Sequence, residues 1–134
     1  MRVKFIVEGE PVGKQRPRLF KNRIYTPEKT KNYEYKIRRT YQDITNHYFE
    51  GYIRLTVNAY YGIAKSDSKK KKMMKLSGEL RPDKVPDIDN VIKMIDGLNG
   101  IAFKDDSCIV EVIGNKYFSD NPRVEFILED INGE

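Results

Sequence analysis

The period of the hydrophobic pattern changes along this chain, and that change restricts the folds open to it. Val3, Phe5 and Val7 alternate with charged Arg2, Lys4 and Glu8, the period-two pattern of a strand with one buried face. Tyr33, Ile37, Tyr41, Ile44 and Tyr48 then recur at three- and four-residue steps, as an amphipathic helix requires. Thr26-Pro27-Glu28 supplies its start, with Thr26 as N-cap, Pro27 at the first helical position and Glu28 in the first turn. Gly51 ends it. Tyr52–Tyr61, rich in β-branched and aromatic residues, returns to a strand pattern. Pro86–Leu98 reads as a second main helix. Cys108–Tyr117 and Arg123–Leu128 read as strands joined by the turn-forming Ser119-Asp120-Asn121-Pro122. Gly9–Pro17 is a loop and Arg18–Tyr25 a short strand. Ser66–Leu76 fits either a Lys-rich helix opened by Ser66 or Ser68 or a mobile loop, because Lys69–Lys72 repel one another. The expectation is a single domain over residues 1–134, with an α/β (α+β-like) fold, a mixed sheet, two main helices and no repeats.

Charge is distributed unevenly along that frame. Residues 11–41 hold ten Lys/Arg against two acids, residues 65–84 eight against three, and residues 87–134 only four against eleven. Two basic segments before an acidic third suit contact with a polyanion such as nucleic acid, since each Lys or Arg beside a phosphate releases a condensed counterion. Concentrated carboxylates in the same chain suit a hard metal ion. A solvated surface would carry such charges equally well. Cys108 has no second cysteine to pair with, and His47 alone cannot build a Cys/His zinc site. No apolar run approaches the roughly 20 residues that cross a bilayer, and Met1–Ile6 lacks a signal-peptide core. These features point away from membrane, disulfide-scaffold and zinc proteins and toward a cytoplasmic one.

The most informative stretch is Pro86-Asp87-Ile88-Asp89-Asn90-Val91-Ile92-Lys93-Met94-Ile95-Asp96-Gly97-Leu98. Ile88, Val91, Ile92, Ile95 and Leu98 share one helical face, and Asp89, Lys93 and Asp96 lie on the other. Asp87 falls at or before the N-cap. If Asp87–Asp89 is extended there, the two carboxylates project to one side and make an oxygen site suited to Mg²⁺. Simpler duties are also open: Asp87 as a helix cap, and Asp89 with Lys93 as an i,i+4 ion pair. A second acidic pair, Asp105-Asp106, precedes a strand and is either part of the same centre or an ordinary turn. Should the acidic loops converge, carboxylate-held Mg²⁺ would activate water and Lys93 would stabilise developing negative charge, which is phosphodiester chemistry. Gly9-Glu10-Pro11-Val12-Gly13-Lys14-Gln15 has neither the spacing nor the Ser/Thr of a Walker phosphate loop.

Pro86–Lys93 together with Asp96-Gly97-Leu98-Asn99-Gly100 and Lys104-Asp105-Asp106 resembles the signature of RusA-type Holliday junction resolvases. Gly13-Lys14-Gln15-Arg16-Pro17-Arg18 and Tyr25-Thr26-Pro27 are similar to the N-terminal parts of the Gram-positive and phage-encoded branch, which includes prophage proteins. The resemblance implies a homodimeric, Mg²⁺-dependent endonuclease that nicks two strands symmetrically at a four-way DNA junction during recombination and repair. By position, it implies Asp87, Asp89 and Asp106 as metal-binding carboxylates and Lys93 as the catalytic lysine. Asp105 is a weaker candidate, and Asp96 matches a common position expected to be structural. Lys14, Arg16, Arg18, Lys69, Lys70, Lys71, Lys72 and Lys84 are the candidate DNA contacts. Tyr25 and Tyr35 lie off the core stripe and are free to face bases. The competing expectation is a non-catalytic, structure-selective DNA-binding module whose acids serve only as caps and turns.

Overall fold

The computed structural model describes residues 1–131. Strand β1 (Arg2–Glu8) is followed by β2 (Arg18–Phe20), β3 (Arg23–Tyr25), helix α1 (Glu28–Ile44), β4 (Ile53–Tyr61), α2 (Lys69–Leu76), α3 (Ile88–Ile92), a 3₁₀ segment Lys93–Leu98, a 3₁₀ turn Asp106–Cys108, β5 (Ile109–Phe118) and β6 (Arg123–Asp130). Four strands form one sheet in the order β1-β6-β4-β5, and β2 pairs with β3 in a separate ribbon. The large sheet is mixed: β6 runs antiparallel to both β1 and β4, whereas β4 and β5 are parallel. This is a single α+β domain.

The alternation read in the first strand sets its register. Val3, Phe5 and Val7 are buried and their neighbours exposed, with Phe5 opposite Phe126. Phe126 in turn lies opposite Val57 of β4, and Val57 opposite Gly114 of β5. One sheet face therefore presents a continuous apolar row to the helices. Tyr33, Ile37 and Tyr41 of α1 close over it, and Phe5 stacks on Phe126 at 5.1 Å while meeting Tyr41 edge-on at 5.6 Å. Offset and edge-on contacts are the favoured aromatic geometries.

Several elements depart from the sequence reading in ways that bear on the site. Pro27, not Thr26, occupies the N-cap of α1. The helix ends at Ile44 because Thr45 turns extended, so Ile44 is exposed and Tyr48 lies beyond the helix altogether. Arg18–Tyr25 is not one strand but a hairpin, turned at Lys21 and Asn22 with φ of 50° and 62°. Lys69–Leu76 is helical, its N-cap Ser68 accepting a hydrogen bond from the Lys71 amide at 3.2 Å. The segment Pro86–Leu98 is helical in two styles, α up to Ile92 and 3₁₀ from Lys93.

A parallel pair cannot be joined by a tight turn. The crossover from β4 to β5 spans residues 62–108, and it carries α2, α3, both 3₁₀ segments and all of the acidic candidates. Gly114 lets α3 sit directly on β5: a Cβ there would come within 2.9 Å of Ile92 Cδ1 and 3.0 Å of Ile88 Cγ1.

Candidate active site

Asp87 is the N-cap residue of α3 by position, with ψ of 149°, yet its side chain makes no capping hydrogen bond. Its carboxylate is thus left free at the point where a helix start leaves amide N–H groups without partners. Asp89 follows in the first turn, 69% exposed, and Lys93 Nζ stands 4.0 Å from its carboxylate, itself 59% exposed. An ion pair that long and that open contributes little to stability. Neither acid is consumed by a structural duty.

These three side chains line a cleft of about 760 Å³ between α3, the loop Pro11–Pro17 and the start of α1, with Lys14, Arg16, Lys29 and Asn90 among the other lining residues. The loop is docked on α3 by its backbone, the Lys14 amide donating to Asn90 O at 2.8 Å. It is tied to α1 where the Gln15 amide donates to Thr30 Oγ1 at 3.1 Å. Gly13 makes that approach possible, since a Cβ there would lie 2.8 Å from Pro86 Cβ and 3.1 Å from Asn90 Cβ. On the far side, the Tyr61 hydroxyl donates to the Pro86 carbonyl.

Lys14 turns inward. Its ammonium donates to Asp96 Oδ2 at 3.0 Å and lies 3.2 Å from Glu34 Oε2 on α1. Burial alone would lower its pKa, but the hydrogen bonds to Asp96 and Glu34 outweigh that and hold it above 10.5. Asp96 owes this position to the tightening of its segment. A 3₁₀ helix advances 120° per residue against 100° for an α-helix, so the three steps from Lys93 to Asp96 accumulate about 60° of extra rotation. Asp96 leaves the outer face it would have shared with Asp89 and Lys93 and swings toward α1. The same tightening brings Gly97 against the backbone of α1, where Arg38 Nε donates to Gly97 O at 3.2 Å.

Asp106 stands apart from Asp87 and Asp89. It lies beside Asp96, and its carboxyl is held above the usual range first by the hydrogen bond that its protonated form can make to Asp96, then by burial and by the charges of Asp96 and Asp105, with Lys14 acting in the opposite sense. Asp105 has the reverse character: the Ser107 hydroxyl and amide both donate to it and lower its pKa. Among the described residues, no group of three or more Asp, Glu, His or Cys side chains is gathered closely enough to hold an ion. Asp87 and Asp89 face the cleft with Lys93, while Asp106 connects to it only through Asp96 and Lys14.

The basic candidates are distributed over three places. Arg16 lines the cleft and Arg18 lies on the β2–β3 ribbon. Lys69, Lys70, Lys71 and Lys72 belong to α2, with Lys71 Nζ 3.8 Å from Asp67. Lys84 precedes α3, its ammonium 5.9 Å from the Phe118 ring. Sequence reasoning missed Glu34, Lys29 and the inward role of Lys14. The partners of Lys14 on Glu34 and Asp96 are far away along the chain, and no local pattern marks them. No helix among the described residues is long and apolar enough to cross a membrane.

A sequence model described as endodeoxyribonuclease RusA matches residues 8–129, which includes every acid and base of the cleft. A protein of Bacillus subtilis (strain 168), described as the uncharacterized protein YqaN, is 35% identical over 138 residues, spanning 97% of each chain. The chain belongs to the RusA endodeoxyribonuclease family.

Proposed function

We propose that this protein is a Mg²⁺-dependent endonuclease that resolves four-way DNA junctions by paired, symmetric nicks. The observation that carries the reading is the uncapped carboxylate of Asp87, open beside Asp89 and Lys93 in a cleft rimmed by Arg16 and Lys29. Family membership supplies the nuclease chemistry, and the basic rim suits a phosphodiester backbone.

The donor set fits Mg²⁺. That ion takes oxygen ligands, keeps several waters and commonly binds through one or two carboxylates plus substrate phosphate, which matches two free carboxylates and no closed protein cage. Asp87 and Asp89 would hold it. Asp106, the third carboxylate implied by family resemblance, is engaged by Asp96. When bound, the ion would lower the pKa of a ligated water and polarise the phosphate. Lys93, unencumbered apart from its long pairing with Asp89, places an ammonium where negative charge grows on the phosphoryl oxygens. Arg16 and Lys29 hold the backbone in register, and Asn90 fixes the loop beneath it through its carbonyl.

Two cuts at one junction call for two identical sites, which a two-fold homodimer supplies. β6 lies inside the sheet and cannot serve as its interface edge, whereas β5 has an open edge with Val110 and Val112 exposed. A second copy pairing along β5 would cover an edge that proteins otherwise protect. Cytoplasmic recombination and repair of host or prophage DNA is the setting consistent with this activity.

The test is a nicking assay on a synthetic four-way junction and a matched linear duplex, each with Mg²⁺ or EDTA, for the wild type and Asp87→Asn. Mg²⁺-dependent paired nicks confined to the junction are expected. Asp87→Asn should lose cleavage yet bind the junction as tightly or more tightly, since one charge repelling phosphate is gone. Binding without cleavage by the wild type, across junctions of varied sequence, would favour the DNA-binding module instead. Unfolding of Asp87→Asn would return Asp87 to a structural role.

A further inference from the structure

The β2–β3 ribbon is an exposed apolar surface that the fold does not use. It forms its own two-stranded sheet, separate from the main one. Leu19 is 69% exposed, Phe20 63%, Ile24 78% and Tyr25 43%. An isolated hairpin is marginal in water, and clustered exposed hydrophobics mark a surface that something else covers.

Register decides what that surface presents. Arg18 lies opposite Tyr25, Leu19 opposite Ile24, and Phe20 opposite Arg23. Cross-strand partners share a face and successive residues alternate. One face is therefore the apolar pair Leu19–Ile24. The other carries two aromatic rings, Phe20 and Tyr25, each directly across from an arginine. Lys21 at the tip adds a third cation, its ammonium 5.4 Å from the Phe20 ring. Residues 11–27 contain no acid at all. The ribbon leaves the body just beyond Gln15, whose amide is anchored to α1, so it is continuous with the rim of the Asp87–Asp89 cleft.

We infer that the β2–β3 ribbon is a nucleic-acid arm, in which Phe20 and Tyr25 stack on unpaired or unstacked bases while Arg18, Arg23 and Lys21 take the flanking phosphates. The inference rests on the DNA reading of the neighbouring cleft and assigns the preference for branched over linear DNA to a particular element. Charge complementarity selects the occupant, because the aromatic face is bordered only by cations. A fully stacked duplex offers no base face to a ring, whereas a branch point or a single strand does. The ribbon thus adds to phosphate binding, which is blind to shape, a contact that only disrupted stacking can satisfy.

The experiment uses the full chain, in EDTA so that no strand is cut, with a four-way junction carrying 2-aminopurine at the branch point and a linear duplex of the same sequence. Wild-type protein should change the fluorescence of the junction and leave that of the duplex unchanged. Phe20→Ala and Tyr25→Ala should each abolish the change and weaken junction binding about tenfold, with duplex binding within about twofold of the wild type. Phe20→Trp should keep the junction affinity. Arg18→Ala and Arg23→Ala should each reduce the salt dependence of junction binding by about one unit. Unchanged melting temperatures would show that the core is intact. If the wild type binds junctions in EDTA and nicks them in a parallel reaction with Mg²⁺, while Phe20→Ala and Tyr25→Ala behave identically to it in both, the arm is refuted and the nuclease reading stands. If the wild type binds no junction, both fall. If the substitutions change the sedimentation mass and leave the DNA signals alone, the ribbon is a contact between copies of this chain, which also refutes the arm.

Discussion

Replacing Lys14 by Met isolates the contribution of the buried cation, because the substitution keeps an unbranched apolar stem and removes only the ammonium. Two contacts are lost, 3.0 Å to Asp96 and 3.2 Å to Glu34, among side chains between 18% and 27% exposed. Charge-assisted hydrogen bonds contribute about 1.5–3 kcal/mol when well buried and far less when open to water. Partial exposure places each here near 1 kcal/mol, or about 2 kcal/mol together. For a chain of this size that corresponds to a fall in Tm of about 6–8 °C. The pH dependence is the sharper prediction. Because the pKa of Lys14 is raised by folding, its stabilisation is present below the unfolded value of about 10.4 and is lost as pH climbs through the folded one. Urea denaturation of both proteins from pH 7 to 11 should therefore show a gap that is full at neutrality and narrows toward pH 11. A gap below about 0.5 kcal/mol at pH 7, or one constant across the range, would refute an electrostatic role for Lys14.

Asp106→Asn should raise Tm at pH 7. The pKa of Asp106 is raised by its contact with Asp96, so the ionised form costs stability above the folded pKa, and the gain should vanish at pH 3, where both proteins carry a neutral group. The same substitution should reduce Mg²⁺-dependent cleavage if Asp106 completes the centre on DNA binding, measured as the rate of junction nicking. Gly97→Ala should destabilise the chain by about 1–3 kcal/mol, since the new Cβ would sit 2.7 Å from Glu34 O, a backbone atom of α1 that cannot swing aside; thermal unfolding reads it directly.

Much of the fold is written in local patterns. The alternation through Val3, Phe5 and Val7 specifies β1, and Tyr33, Ile37 and Tyr41 specify the buried face of α1, because burial and period coincide there. Tyr48 extends the helical spacing by chance, and only Thr45 turning extended breaks it. Strand order was not readable: nothing in Arg123–Leu128 says that β6 sits between β1 and β4. The hairpin at Lys21-Asn22 was hidden because its turn lacks the Asn-Gly pair that usually announces one. Asp87, Asp89 and Lys93 share the cleft as the spacing suggests, since they lie at the start, in the first turn and just past the end of one short helix. Asp96 escaped because a 3₁₀ segment changes the angular spacing that an α-helical wheel assumes. Glu34 and Lys14 pair across elements, and such pairs are set by tertiary packing alone.

The position of β6 has a consequence for how the chain is made. β1, the first strand in order among the described residues, hydrogen-bonds in the sheet only to β6, the last in order among them, and β4 likewise waits for β6 and β5. The parallel pairing of β4 with β5 can form without β6, but β1 has no other partner in the sheet, since β1 and β4 are not neighbours. A chain lacking β6 therefore leaves β1 unpaired and one edge of β4 open, with the sheet in two pieces. Contacts between chain ends are slow to close and are rewarded only at the end. Closure of the sheet beneath the cleft is in this sense deferred until β6 is made, and a polypeptide lacking β6 would carry every acidic residue of the centre on an incomplete scaffold.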